Sequence, residues 1–408
     1  MLNKDGTREL AYIVKIDEIK PIAGRDRVEC AVVGGWTVMV RKNELKAGDY
    51  AVYFEIDSKL PECAPFEFLA AKHYKIKTQR YKTPDGPFYS QGLVMPFKDF
   101  VDEDGTNIPA WLAEVNDRIK RGEDVTHTFL TEALSVTYAD PADNTRKAKS
   151  VDKYAKMTQR HPKLFKKPWA KWMMRRSWGR KVMFAFFGKK KDKKNGWPEW
   201  VKKTDEERAQ NLNWSAVPKG PWIATEKLDG SSTTFTMKRG RRKNQFYVCS
   251  RNVCFDTPDK DCYYDSNIYW EMAKRYNVEE VMNQIMDLDQ FKDCEWITIQ
   301  GETFGAGVQK RTYNLEGHDF RAFNFITSKD GRWNSADAAR LVRRYGIKWV
   351  PIVDEEFMLP ETVAELLDIA TGKSVIDGGD REGLVFRSLD GVSSFKAVSN
   401  EFLAKYHQ

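Results

Sequence analysis

Between residues 146 and 194 the chain carries 19 Lys and Arg against two acids, Asp152 and Asp192, a local net of +17. Subtracting this from the whole-chain value of +8 leaves −9 for the rest, so one stretch makes an otherwise acidic-leaning protein basic. A break of that size marks a domain boundary, and it divides the 408 residues into three parts, 1–140, 141–195 and 196–408. With 41% hydrophobic residues the chain has ample material for buried cores and reads as globular. The start, Met1-Leu2-Asn3-Lys4-Asp5, has no apolar stretch of the kind that directs secretion. The longest clean apolar run, Val182-Met183-Phe184-Ala185-Phe186-Phe187, is too short to span a bilayer. Six cysteines without a CxxC pair are expected to be reduced thiols of a cytoplasmic protein, and five scattered histidines make structural zinc an unexpected feature.

The first part reads as all-β. Tyr12-Ile13-Val14-Lys15-Ile16 leads to the turn Pro21-Ile22-Ala23-Gly24. Then follow 28–33, Gly34-Gly35, Trp36 to Val40, and 50–56 after Lys46-Ala47-Gly48-Asp49. Short β-rich runs with glycine turns at this spacing predict a small barrel, and Trp36, Val38 and Val40 alternate so as to line its interior. Barrels of this kind either serve as structural modules or bind nucleic acid.

The third part mixes strands and helices. Strands are expected at 222–226, 232–237, 246–249, 296–300, 320–326, 348–352, 383–386 and 393–398, and helices at 265–291, 335–345 and 360–370. This order predicts an α+β architecture with mixed or antiparallel sheets. Neither a dinucleotide-binding glycine fingerprint nor a P-loop is present.

The chemistry-bearing runs all fall in this part. Glu226-Lys227-Leu228-Asp229-Gly230-Ser231 puts a lysine at a strand end before a glycine turn, aiming its ammonium into a cleft. A lysine attacks only when deprotonated, so its pKa must be lowered by desolvation or nearby cations. Downstream lie Ser250-Arg251-Asn252, whose guanidinium suits a phosphate, and Gln300-Gly301-Glu302-Thr303, a carboxylate beside a glycine. Arg321-Ala322-Phe323-Asn324-Phe325 alternates, so that Phe323 and Phe325 are expected on one face where a ring could stack a base. Glu382-Gly383-Leu384-Val385-Phe386-Arg387 and Ser394-Phe395-Lys396-Ala397-Val398 complete the set as a strand pair.

In this order the runs resemble the covalent nucleotidyltransferase superfamily of ATP-dependent polynucleotide ligases and capping enzymes. Residues 227–231 are similar to its motif I, Ser250-Arg251-Asn252 to motif Ia, Gly301-Glu302 to motif III, Phe323 to motif IIIa, Glu382-Gly383 to motif IV and Lys396 to motif V. Lys20-Pro21-Ile22-Ala23-Gly24-Arg25-Asp26, Val52-Tyr53-Phe54-Glu55-Ile56-Asp57-Ser58 and Ser90-Gln91-Gly92-Leu93 resemble the N-terminal OB-fold module of one RNA ligase family. So does Lys203-Thr204-Asp205-Glu206-Glu207-Arg208 ahead of the lysine. The resemblance covers both ends of the chain but not the basic stretch.

The resemblance implies an ATP-dependent RNA ligase that joins a 3′-hydroxyl to a 5′-phosphate, in nicked duplexes and in RNA repair, with Mg²⁺ or Mn²⁺ and as a monomer. Lys227 would be the nucleophile that takes AMP, with Lys396, Asp229 and Arg251 assisting. Glu226, Gly230, Arg251, Glu302, Phe323, Val385 and Lys396 would hold the nucleotide, and Glu302 and Glu382 the metal. Motif V commonly carries two lysines, whereas Ser394-Phe395-Lys396 supplies one, leaving Arg387 or Lys405 as candidates for the second cation. A DNA ligase or a capping guanylyltransferase would be expected to carry a further OB domain after motif V, and 12 residues follow Lys396. A non-catalytic nucleic-acid-binding protein would need no Lys227, Glu302 or Glu382 in register. The stretch 146–194 interleaves Trp169, Trp172, Trp178, Phe184, Phe186 and Phe187 with its cations, a pattern that fits an RNA clamp, an amphipathic helix on an anionic membrane, or a solvated tether.

Overall fold

A computed structural model describes every residue except 3–7, 103–107, 140–163, 165–166, 175, 177–178, 180–181, 184–196, 204, 256, 259–261, 263, 265 and 408. It divides into two compact units, Met1–Ala139 with Trp197–Gln408, and Asp140–Gly196. Most of the basic stretch lies outside the described residues. The described part of the smaller unit includes a short helix, Pro168–Met174, whose Ala170 is buried with Met183 while Trp169 and Trp172 are exposed.

In the N-terminal part, β1 (Ala11–Lys15), β5 (Tyr50–Phe54) and β9 (Leu93–Pro96) form one antiparallel sheet. A meander of β2 (Glu18–Ile22), β3 (Arg25–Val33) and β4 (Trp36–Arg41) forms a second. Two pairs complete it: β6 (Ser58–Lys59) with β10 (Thr137–Tyr138), and the hairpin β7 (Gln79–Thr83) with β8 (Gly86–Ser90). The expected barrel is therefore only partly realised, because among the described residues the ladders do not close into a ring. Strands β1 and β5 are covered on both faces. Ala11, Ile13, Val52 and Phe54 face a core that also takes in Leu112 and Val115 of helix α1 (Ala110–Lys120). Tyr12, Val14, Ala51 and Tyr53 face a second core with Trp36, Val38 and Val40, the three residues expected inside.

The C-terminal part holds two sheets. One has five strands in the order β11 (Glu207–Arg208), β21 (Ser394–Val398), β20 (Gly383–Ser388), β12 (Trp222–Lys227), β19 (Ile352–Phe357). The other has six: β15 (Cys254–Phe255), β14 (Gln245–Cys249), β13 (Ser231–Lys238), β16 (Trp296–Gly305), β17 (His318–Thr327) and β18 (Gly331–Arg332). Helices α3 (Ile268–Arg275), α4 (Val278–Met286) and α5 (Ser335–Arg344) pack behind the six-stranded sheet, α2 being the short helix of the smaller unit. Helix α6 (Val363–Ala370) packs behind the five-stranded one, and α7 (Asn400–Tyr406) follows β21. The polar faces of the two sheets meet across a cleft, where Arg387 Nε donates to Asn324 Oδ1 at 3.2 Å.

Three local expectations are corrected. The helix expected over 265–291 is two helices, broken where Asn277 takes a left-handed conformation at φ +46°. Helix α6 starts at Val363 rather than at Pro360, because Thr362 caps it and Glu365 reaches back to the Thr362 amide. The strand expected at 348–352 makes only a parallel bridge between Trp349 and Ala322, and β19 starts after Pro351, which has no N–H for a ladder.

The core behind the five-stranded sheet is aromatic. Phe386, fully buried, lies 5.1 Å between ring centroids from both Phe395 and Phe357. Phe386→Ala should cost about 3–5 kcal/mol by emptying that space, measured as a lower denaturant midpoint with an unchanged m-value.

The N-terminal sheets are joined to this part through residues 207–211. Trp36 Nε1 donates to Asn211 Oδ1 at 2.7 Å, Asn211 Nδ2 donates to the fully buried Glu55 at 2.8 Å, and Arg208 pairs with Asp57 at 3.4 Å. Val398 and Leu403 enter the core of Trp36 and Tyr53. Gly35 is required here by close approach, since a Cβ would lie 2.6 Å from Gln210 Cα.

Candidate active site

Lys227 ends β12, and the turn 228–230 carries the chain from one sheet to the other. Gly230 has no room for a side chain, because a Cβ would sit 2.5 Å from the Thr303 carbonyl oxygen and 2.8 Å from Glu302 Cγ. The Asp229 amide donates to the buried Tyr313 hydroxyl at 2.7 Å, which pins the turn. Tyr313→Phe strips that buried amide of its acceptor and should cost about 1–3 kcal/mol of stability, read by chemical denaturation.

Lys227 Nζ lies 2.8 Å from Glu382 Oε1. Its ladder partner is Gly383, where a Cβ would meet the Ala397 oxygen at 2.2 Å, so a glycine lets β20 and β21 close up beside the lysine. Glu302 approaches from β16, across from Ser232 and Arg321. Burial pushes the Glu302 carboxyl up to about 8, the nearby Lys227 charge only partly opposing it. For Lys227 burial favours the neutral amine, but Glu382, Glu302 and Asp229 outweigh it and the pKa rises. These carboxylates thus favour Lys227 as an ammonium, the reverse of the expected lowering.

Thr225, Val385 and Lys396 lie side by side in register across β12, β20 and β21. Lys396 is 8% exposed, and burial lowers its pKa to about 7, with Arg8 adding to the effect and Asp205 opposing it. Glu226 turns to another neighbour, accepting from the Val375 amide at 2.9 Å, while its Oε1 is buried without a partner. Asp229 Oδ1 is 3.4 Å from His407 Nε2, and its Oδ2 likewise has no partner. The alternation expected of Phe323 and Phe325 fails. A register shift between Gln300 and Gly301 interrupts the ladder opposite Phe323. Phe325 is buried against Phe291 and Trp333, whereas Phe323 is half-buried with the Arg387 guanidinium 5.5 Å from its ring centroid.

Neither suggested second cation joins Lys396. Arg387 is buried among Glu206, Asn324 and Thr225, and the exposed Lys405 pairs with Asp380. Reading the sequence missed the segment 202–208 as part of the site, although its acidic run was the available signal. The Lys202 carbonyl accepts from Gln300 at 2.8 Å, and Lys203 Nζ donates to Asn252 at 3.0 Å. Asp205 pairs with both Arg251 and Lys396, the latter at 3.4 Å. Glu206 holds Ser394, Arg332 and Arg387. Its described residues form a strap from one sheet to the other.

Among the described residues no three His, Cys, Asp or Glu side chains form a ready metal cluster. The donor set still suits a hard cation. Glu302 and Glu382 are both carboxylates, Glu382 Oε2 is buried without a partner, and Glu302 is protonated near neutrality unless a cation compensates it.

Two opposed sheets with a strand-end lysine held between carboxylates, and a second lysine two strands away in the same sheet, define a covalent nucleotidyltransferase domain. Residues 220–407 match the RNA ligase family model and residues 10–97 that of an OB-fold domain, so an RNA ligase domain follows an OB-fold domain in this chain. It is similar over 98% of its length to a variant of the Naegleria gruberi RNA ligase solved with ATP and Mn, at 27% identity, a TM-score of 0.69 and 100% coverage of that chain. The same ligase solved with PPi gives 28% identity and a TM-score of 0.66, covering 98% of this chain and 99% of that one. No curated protein matches the chain by sequence. No helix among the described residues is long and apolar enough to cross a membrane.

Proposed function

We propose that the protein is an ATP-dependent RNA ligase that seals a 3′-hydroxyl to a 5′-phosphate, in nicked duplexes during RNA repair, through lysyl-AMP and RNA-adenylate intermediates. The observation that carries the reading is Lys227 at 2.8 Å from Glu382, with Glu302 facing it from the opposite sheet and Lys396 two strands away. The Naegleria gruberi relative, solved with ATP and Mn, supports the choice of nucleotide and of a divalent cation.

In the first step Lys227 Nζ attacks the α-phosphorus of ATP and pyrophosphate leaves. The proton on Lys227 is the obstacle, since the Glu382 carboxylate stabilises it. Glu302 and Glu382 would hold a divalent cation, and with Glu382 so engaged Lys227 would lose its proton to solvent before it attacks. The bound cation supplies charge neutralisation of the phosphates and Lewis acidity at their oxygens. Lys396 stabilises the charge that develops on the α-phosphate. Glu226 Oε1, buried without a partner, is a free acceptor for a donor group of the nucleotide, and Phe323 and Val385 offer it apolar surface. In the second step AMP passes from Lys227 to the RNA 5′-phosphate, and in the third the 3′-hydroxyl displaces AMP and closes the strand. Arg251 and Asp229 orient the end groups.

The test is incubation with α-labelled ATP and Mg²⁺ or Mn²⁺, followed by a nicked RNA duplex. The expected result is covalent label on the protein, then transfer to the 5′-phosphate end and a sealed strand. Wild-type protein that takes up no label would overturn the reading.

A further inference from the structure

One phosphate cation, Lys396, stands on β21 without the second lysine usual beside it, and the strap occupies the neighbouring position. Arg208 is the ladder partner of Lys396 across the parallel pair of β11 and β21, so the two side chains share a side of the sheet. Arg208 is 4% exposed, and its Nε and Nη1 are buried without a partner, only Nη2 reaching Asp57. A buried guanidinium with unused donors beside a buried ammonium is a place for an anion. The anion present is Asp205, whose carboxylate bridges Lys396 and Arg251. Burial opposes charge on Asp205, yet Lys396, Arg251 and Arg8 together hold its pKa down to about 2.

We propose that Arg208 is the second phosphate cation of the cleft and that Asp205 is a resident anion which the entering phosphate displaces, an inference that rests on the nucleotidyl-transfer reading above. Before a phosphate enters, Asp205 compensates the buried Lys396 and the part-exposed Arg251, which would otherwise repel one another. A phosphoryl group entering the cleft takes over both cations and engages the unused Arg208 donors. Asp205 also keeps Lys396 charged until that moment, since the other groups facing Lys396 are the cations Arg8, Arg208 and Lys227.

The two halves predict opposite signs. Calorimetric titration of the full chain with AMP and with inorganic pyrophosphate, at about pH 6 so that Lys396 is charged, should show Arg208→Gln weakening binding about tenfold, with partial recovery in Arg208→Lys. Asp205→Asn should tighten it about tenfold by removing the competing carboxylate. The gain should shrink at about pH 8, where Lys396 is largely neutral with or without Asp205. The ligand that responds, AMP or pyrophosphate, tells which phosphate uses the position, and a response by either supports the proposal. Unchanged binding of both ligands by Arg208→Gln, or unchanged or weaker binding by Asp205→Asn, overturns it. Misfolding cannot imitate a gain in affinity, so Asp205→Asn keeps the test decisive if Arg208→Gln loosens the N-terminal docking. Labelling of wild-type protein with ATP separates the two failures. No label removes the ligase reading, whereas label without these affinity changes removes only this proposal.

Discussion

Lys227→Ala is expected to carry no covalent AMP after incubation with labelled ATP and a divalent cation, a loss of about 10⁴-fold or more. The reason is chemical rather than steric. Alanine has no nucleophile, and among the described residues no other lysine is placed by β12 between Glu382 and Glu302. The fold should survive the change. Lys227 is a quarter exposed, so its removal empties little buried space. A second readout sharpens the result. Given a pre-adenylylated RNA end, Lys227→Ala should still close the strand, because the third step does not use the amine. Label on Lys227→Ala would sink the mechanism, whatever the sealing assay showed.

Lys396→Ala is expected to slow lysyl-AMP formation by about 10²–10³, the cost of removing one preorganised charge from a transition state that gains negative charge. Lys396 is 8% exposed and in register with Val385 and Thr225, so its ammonium cannot be replaced by a solvent-borne cation at the same spot. The variant leaves Asp205 paired only with Arg251 in a space where burial already disfavours its charge. Some loss of stability should accompany the loss of rate, and Lys396→Arg should restore the stability more fully than the rate. Single-turnover labelling measures the first effect and denaturation the second. Wild-type adenylylation in Lys396→Ala would remove the residue from the site.

Much of the C-terminal architecture was legible because short-range rules govern it. Strands were expected at 222–226, 383–386 and 393–398, and the structure buries Trp222, Ala224, Leu384, Phe386, Phe395 and Ala397 together on one face of them. The lysine before a glycine turn was legible for the same reason, since Gly230 answers a close approach to β16 that no other residue tolerates. The departures are equally physical. The alternation through 321–325 fails at Phe323 because the register shift depends on how β17 fits β16, which nothing within residues 321–325 reports. The helix expected over 265–291 breaks at Asn277, a left-handed residue inside a pattern that otherwise stays amphipathic.

The charges show the limit most sharply. By itself the sequence determined that positive charge is concentrated in one stretch, that a β-rich part precedes a mixed one, and that lysine, arginine and carboxylate runs follow in the order of a nucleotidyltransferase. Those are properties of composition, order and local periodicity, carried by neighbours a few residues apart. Only the tertiary structure decided what each charge faces: Lys227 against Glu382, Lys396 against Asp205 at a separation of 191 residues, Arg208 between the two domains with donors unspent. A side chain's protonation and affinity depend on the desolvation and fields of groups brought together by folding, and pairs so distant in the chain leave no periodic trace in it.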